Sequence, residues 1–128
     1  VRRATIAVAL AACAVALAGC VAEPPVIPEE LVGVTLEQLD QAVGDRDDLT
    51  RLVQDVSVAV DLEPTFDGSQ LDSGAWTIVA ACADVADVRK ASVLEVAVVP
   101  SDAFSPSVAG QVAAGDFDDT VTCKWSSE

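Results

Sequence analysis

The chain has 128 residues, seven basic and 21 acidic, for a net charge of −14. One small domain and its tails fit that length, and so acidic a surface repels nucleic acid and anionic lipid head groups. Histidine, tyrosine, methionine and asparagine are absent, which excludes Ser-His-Asp and Cys-His catalysis, His-bearing zinc sites and N-glycosylation.

Arg2 and Arg3 precede an apolar run over residues 4–16 that is rich in Ala, Val and Leu. The run is shorter than the ~20 apolar residues a membrane crossing needs and has the form of a signal-peptide core. It leads into Leu17-Ala18-Gly19-Cys20, which resembles the lipobox of bacterial lipoproteins at all four positions. That resemblance implies a signal peptide over 1–19, cleavage before Cys20 and diacylglyceryl transfer to the Cys20 thiol. The chain would then be held at the extracytoplasmic face of the cell membrane. Each buried methylene of the acyl chains adds ~0.8 kcal/mol to such an anchor. Loss of Arg2 and Arg3 leaves five basic residues against 21 acidic ones, or −16.

Four cysteines divide accordingly. Cys13 leaves with the signal peptide and Cys20 takes lipid, so Cys82 and Cys123 remain as an even pair in an oxidising compartment. A disulfide is expected, closing a loop long enough to contribute ~3–4 kcal/mol in the chain-entropy model. Free buried thiols are the alternative, and a two-cysteine metal site is a more distant one.

Residues 20–30 hold Pro24, Pro25 and Pro28 among Glu23, Glu29 and Glu30, the composition of an extended tether. Thr35 followed by Gln38 forms a capping box. Leu36, Leu39 and Val43 then share one helical face, and Gly44 supplies the stop. Residues 45–60 fit two periods. The reading adopted is a short helix over 47–54 and a strand over 56–62, where Val56, Val58, Val60 and Leu62 alternate with more polar neighbours.

A polar loop over 64–74 leads to a strand over 75–82, with Trp76, Ile78, Ala80 and Cys82 on one face and Thr77, Val79 and Ala81 on the other. A charged connection over 83–90 suits antiparallel neighbours. Residues 93–99 alternate again, with Leu94, Val96 and Val98 inward and Glu95 outward, and Pro100 ends the strand. Ser105-Pro106 suits a helix cap and first turn, and Gly115 its stop. Residues 116–125 then read as a final short strand carrying Cys123, which the disulfide would pin to the Trp76 strand.

Helix, then three strands, is also the order in PASTA domains, the extracellular modules of bacterial penicillin-binding proteins and serine/threonine kinases. The stretch Val26-Ile27-Pro28 through Leu31-Val32-Gly33-Val34-Thr35-Leu36-Glu37-Gln38 resembles the opening of that family. Trp76-Thr77-Ile78-Val79 falls at its middle strand, and residues 88–98 resemble its last turn and strand. The chain departs from the family at Asp84-Val85-Ala86-Asp87, where many members have Pro-x-x-Gly, at Ala91, a usual glycine, and in a longer segment over 45–74. The resemblance implies an α+β domain over 31–100. In it one main helix packs on a three-stranded antiparallel-type sheet, followed by a C-terminal extension over 101–128. It also implies a non-catalytic binding module associated with peptidoglycan or with another envelope protein.

Other site chemistries are weak. Asp45-Arg46-Asp47-Asp48 and Asp116-Phe117-Asp118-Asp119 invite calcium, but neither register supplies the EF-hand glycine at position six and glutamate at position twelve. No pair among the 21 acids is singled out for glycoside hydrolysis. Trp76 and Trp125 suit either sugar stacking or core packing near the disulfide, the second being the commoner use. No catalytic residue, metal ligand or cofactor is expected. A rival reading is an acidic interaction protein of unrelated α+β fold with a basic envelope partner. An enclosed solute site ranks below both, because the domain is small.

Overall fold

The computed structural model describes residues 23–123. They form two α-helices and one three-stranded mixed sheet: α1 (Leu36–Val43), β1 (Thr50–Asp55), β2 (Trp76–Ala83), β3 (Val93–Pro100) and α2 (Pro106–Ala113), with 3-10 turns between them. The expected α+β class holds. Among the described residues no helix is long and apolar enough to cross a membrane.

α1 forms where local chemistry demands it. The Gln38 backbone N–H donates to Thr35 Oγ1 (3.2 Å) and the Thr35 N–H to Gln38 Oε1 (2.9 Å), so both halves of the capping box are made. Leu36, Leu39 and Val43 are buried beneath it, and Gly44 ends it at φ +70°. Replacing Thr35 with Ala removes the acceptor for the Gln38 N–H and should cost about 1 kcal/mol, measurable as a lowered denaturation midpoint at unchanged slope.

The sheet corrects two expectations. Its order is β1-β3-β2, with β3 antiparallel to β2 but parallel to β1. It is therefore mixed, not of antiparallel type. The crossover through 56–75 carries the chain past the central position, and β3 fills it afterwards. β3 suits the centre because Leu94, Val96 and Val98 are buried on one face and Ala97 and Val99 on the other.

The second correction concerns residues 47–62. The helix expected over 47–54 is strand β1, and the strand expected over 56–62 is a 3-10 turn, Ser57–Val60. Asp55 is the cause. Its carboxylate accepts from the Ser57 N–H (2.9 Å) and from the Ser57 hydroxyl, bending the chain immediately after β1. The Leu62 N–H then closes on the Ser57 carbonyl (3.0 Å), with Asp61 in the left-handed region at φ +61°. Val56 and Val60 turn toward the core while Val58 and Leu62 stay exposed, a repeat of four that splits the valines the expected strand would have kept on one face.

Two apolar cores flank the sheet. The first joins Leu31, Leu36, Leu39, Val43 and Val88 to Trp76, Ile78, Leu94, Val96 and Val98. The second lies on the opposite face, where Val79, Ala80, Ala97 and Val99 meet Val108 and Phe117 of the C-terminal segment. That segment is thus a second layer over the sheet. Ser105 caps α2 by accepting from the Val108 N–H (3.2 Å), and Gly115 ends it at φ +82°, as expected. The final strand does not form within its described part: 116–123 holds a 3-10 turn, Asp118–Thr120, and no strand pairing. Phe117 is buried in the second core, and the Thr122 N–H goes to a side chain instead of a neighbouring strand.

Candidate functional site

The disulfide is the sequence-predicted site residue pair that the structure brings together: Cys82 and Cys123 are bonded, with Cα atoms 6.1 Å apart. Cys20, the expected lipid attachment point, and Trp125 lie outside the described residues.

The face from which Cys82 reaches the C-terminal layer differs from expectation. Pairing with β3 slips between Ile78 and Ala80, so a bulge places Val79 and Ala80 together in the second core. Beyond it Ala81 and Ala83 pack toward the first core, and Cys82 faces the tail. Strict alternation from Trp76 fails because one extra residue resets the pleat.

Glu95 is the second surprise. Expected outward, it is only 2% exposed. It pairs with Leu52 of β1 and Cys82 of β2 in one row across the sheet, directly under the tail. Gln54 Nε2 donates to one carboxylate oxygen, and the Thr122 N–H (3.3 Å) and hydroxyl (3.4 Å) donate to the other. These donors offset the cost of burying the carboxylate. A sequence signal for this existed: a tail bonded to Cys82 must pass over the neighbour of Cys82 on β3.

Beside the disulfide lies an open groove of about 500 Å³, walled by Val32, Val79, Val112 and Val121 with Glu29 and Asp118 among its lining residues. Trp76 does not present a stacking surface. It is buried, with the Phe66 ring edge-on at 5.2 Å and 87°, and its indole N–H has no partner among the described residues.

The acidic segment 45–48 serves as a clamp. Arg46 donates to the Arg89 (2.7 Å) and Ala91 (2.9 Å) carbonyls and to both Asp48 oxygens, fastening 45–48 to the turn before β3. The hydrogen bond from Arg46 holds the Asp48 carboxyl below its ordinary range. Asp87 is lowered likewise, first by the Arg89 side chain and then by the Arg89 and Val26 N–H groups. Arg89 also reaches Glu23 (2.6 Å) and the Pro24 carbonyl (2.9 Å), so residues 23–26 lie along the 87–89 turn. Arg51 pairs with Asp40 (2.9 Å). Three of the four described cations are thus in ion pairs, and the remaining surface is dominated by free carboxylates. Among the described residues no cluster of His, Cys, Asp or Glu is arranged to hold a metal ion.

These features define a small disulfide-bonded domain with an acidic surface and a mixed sheet covered on both faces. No known protein-family profile, curated protein or solved structure matches the chain.

Proposed function

We propose that the protein is a membrane-anchored extracytoplasmic lipoprotein whose domain over 31–100 is a non-catalytic, PASTA-like binding module. The observation that carries the anchor is Leu17-Ala18-Gly19-Cys20 after a basic start and a short apolar run. The Cys82–Cys123 bond supports the same compartment, since such bonds persist where the surroundings are oxidising. Support for the module is the order of a capped helix followed by three strands. The parallel pairing of β1 with β3 is a departure from the antiparallel arrangement the resemblance implied. Association with peptidoglycan or with another envelope protein is the role that resemblance suggests.

Replacing Cys20 with Ser should move the protein from the membrane to the soluble fraction, because the acylated thiol is the anchor. Unchanged fractionation would rule the anchor out. Sedimentation with purified cell wall tests the ligand: recovery no greater than that of a control protein of equal acidity excludes peptidoglycan.

A second reading is favoured by the carboxylate-rich surface: an acidic interaction lipoprotein that docks a basic envelope partner. Complementary charge of this kind speeds encounter and selects the partner, and it weakens steeply with salt.

A further inference from the structure

β1 is an edge strand, and its outer side is open. In the parallel ladder the N–H groups of Thr50 and Val56 bond the Ser92 (2.8 Å) and Val98 (3.0 Å) carbonyls. Even-numbered residues of this stretch therefore face β3, and Arg51, Val53 and Asp55 aim their backbone groups away from the sheet. No described residue hydrogen-bonds to those three backbone N–H groups. A six-residue edge with free donors and acceptors is a template for one more strand, unless charge or bulk blocks it.

The surroundings select what that strand carries. On the sheet face turned toward α1, a groove of about 450 Å³ flanks the start of the edge, with Asp40, Asp45, Arg46, Leu49, Arg51 and Asp72 among its lining residues. Both cations of the groove are already paired, Arg51 with Asp40 and Arg46 with Asp48, which leaves Asp45 and Asp72 to attract a further cation. On the opposite face Leu52 stands 43% exposed, an apolar contact for a side chain of the incoming strand. Successive residues of a strand point to opposite faces. A segment that alternates basic with apolar side chains satisfies both faces at once.

A second copy of the chain fits poorly. Arg51 is held by Asp40, and the Asp55 carboxylate is filled by Ser57, Thr65 and Phe66, so self-pairing would form no new ion pair. It would also bring the acidic stretch 45–48 toward Asp61 and Glu63 of the other copy.

We propose that the outer edge of β1 is a docking site for an extended segment of a basic partner protein, added as a fourth strand with Lys or Arg facing the Asp45–Asp72 groove and apolar residues facing Leu52. This rests on reading the domain as a binding module and names the partner chemistry and the surface.

The test uses the full chain and a capped Lys-Val-Lys-Val-Lys-Val peptide, with Glu-Val-Glu-Val-Glu-Val as comparator. Binding of the basic peptide should slow hydrogen exchange at the Arg51, Val53 and Asp55 amides while the comparator leaves them unchanged. Val53→Pro removes an outward N–H that β3 does not use and should weaken binding at least tenfold, whereas Val53→Thr should not. Should the proline variant fail to fold, Asp45→Lys with Asp72→Lys is the substitute, with the same loss expected. Equal affinity in these variants, or binding with those amides still exchanging fast, would overturn the proposal and leave the binding-module reading intact through another surface. Protection of the same amides in the free protein would overturn it too: if it fades on dilution the occupant is a second copy, and if it persists the occupant is the chain's own terminus. Failure of every basic peptide and every envelope protein to bind anywhere would instead remove the module reading.

Discussion

Reduction of the Cys82–Cys123 bond, or the double substitution Cys82→Ala with Cys123→Ala, should lower the unfolding free energy by about 4 kcal/mol. The bond joins residues 41 apart in sequence, and in the chain-entropy model a loop of that length loses much of its unfolded-state freedom when closed. Its effect is concentrated because of what it holds. The C-terminal layer inserts Val108 and Phe117 into the second core, and Thr122 completes the hydrogen bonds of buried Glu95. The first core contains no residue beyond Val98. Reduced protein should therefore become sensitive to protease within 101–123 first, while α1 and the sheet stay protected. Denaturant titrations with and without a dithiol, read beside the cleavage sites, check both statements. A loss below 1 kcal/mol with an intact tail would show that packing alone retains the layer.

Asp55→Ala should cost about 2–3 kcal/mol through the loss of charge-assisted hydrogen bonds and the orphaning of their donors. One carboxylate oxygen accepts from the Ser57 N–H and hydroxyl, and the other from the Thr65 (2.7 Å) and Phe66 (2.9 Å) N–H groups. Ser57 is fully buried, and Phe66 sits against Trp76. Asp55 thus ties the end of β1 both to the turn after it and to the loop that covers Trp76. Asn at this position keeps one acceptor oxygen and should recover part of the loss.

The same contacts set a pH dependence. Partial burial is the largest single influence on Asp55 and pushes its carboxyl up. The hydrogen bonds from Ser57, Phe66 and Thr65 together outweigh it and leave the group below its ordinary value. A carboxyl lowered by folding stabilises fully above its unfolded pKa of about 3.9 and loses that contribution as pH falls through its folded value. Stability of the parent should therefore drop as pH falls below about 4 more steeply than that of Asp55→Asn. Parallel curves for the two proteins would assign the acid loss to other carboxylates.

The helices and the disulfide were legible from sequence for a common reason. Thr35 and Gln38 satisfy each other within one turn, Ser105 and Pro106 start α2 from adjacent positions, and Gly44 and Gly115 adopt positive φ at the helix ends. Reading Leu17–Cys20 as a lipobox left Cys82 and Cys123 as an even pair with a disulfide expected, and the two are bonded. The apolar strands β2 and β3 were equally plain, since each is a run of eight residues broken by a single polar side chain, Thr77 in β2 and Glu95 in β3.

What the sequence pattern did not reveal lay mostly in contacts between residues far apart in sequence, with one local exception at Asp55. The valine alternation over 56–62 carries the period of a strand, yet Asp55 bends the chain there by capturing Ser57, and β1 falls instead on the mixed sequence Thr50–Asp55 because β3 is there to pair with it. The parallel register, the bulge at Val79 and the burial of Glu95 follow from which strand takes the centre and which segment lies over it. Local sequence thus determined the caps, the apolar strands and the cysteine pair, where the interacting groups lie within a turn of one another or composition alone restricts the choice. Only the tertiary structure decided strand partners, the face Cys82 uses and the open side of β1, because each is set by strand pairing between residues 11 to 43 positions apart.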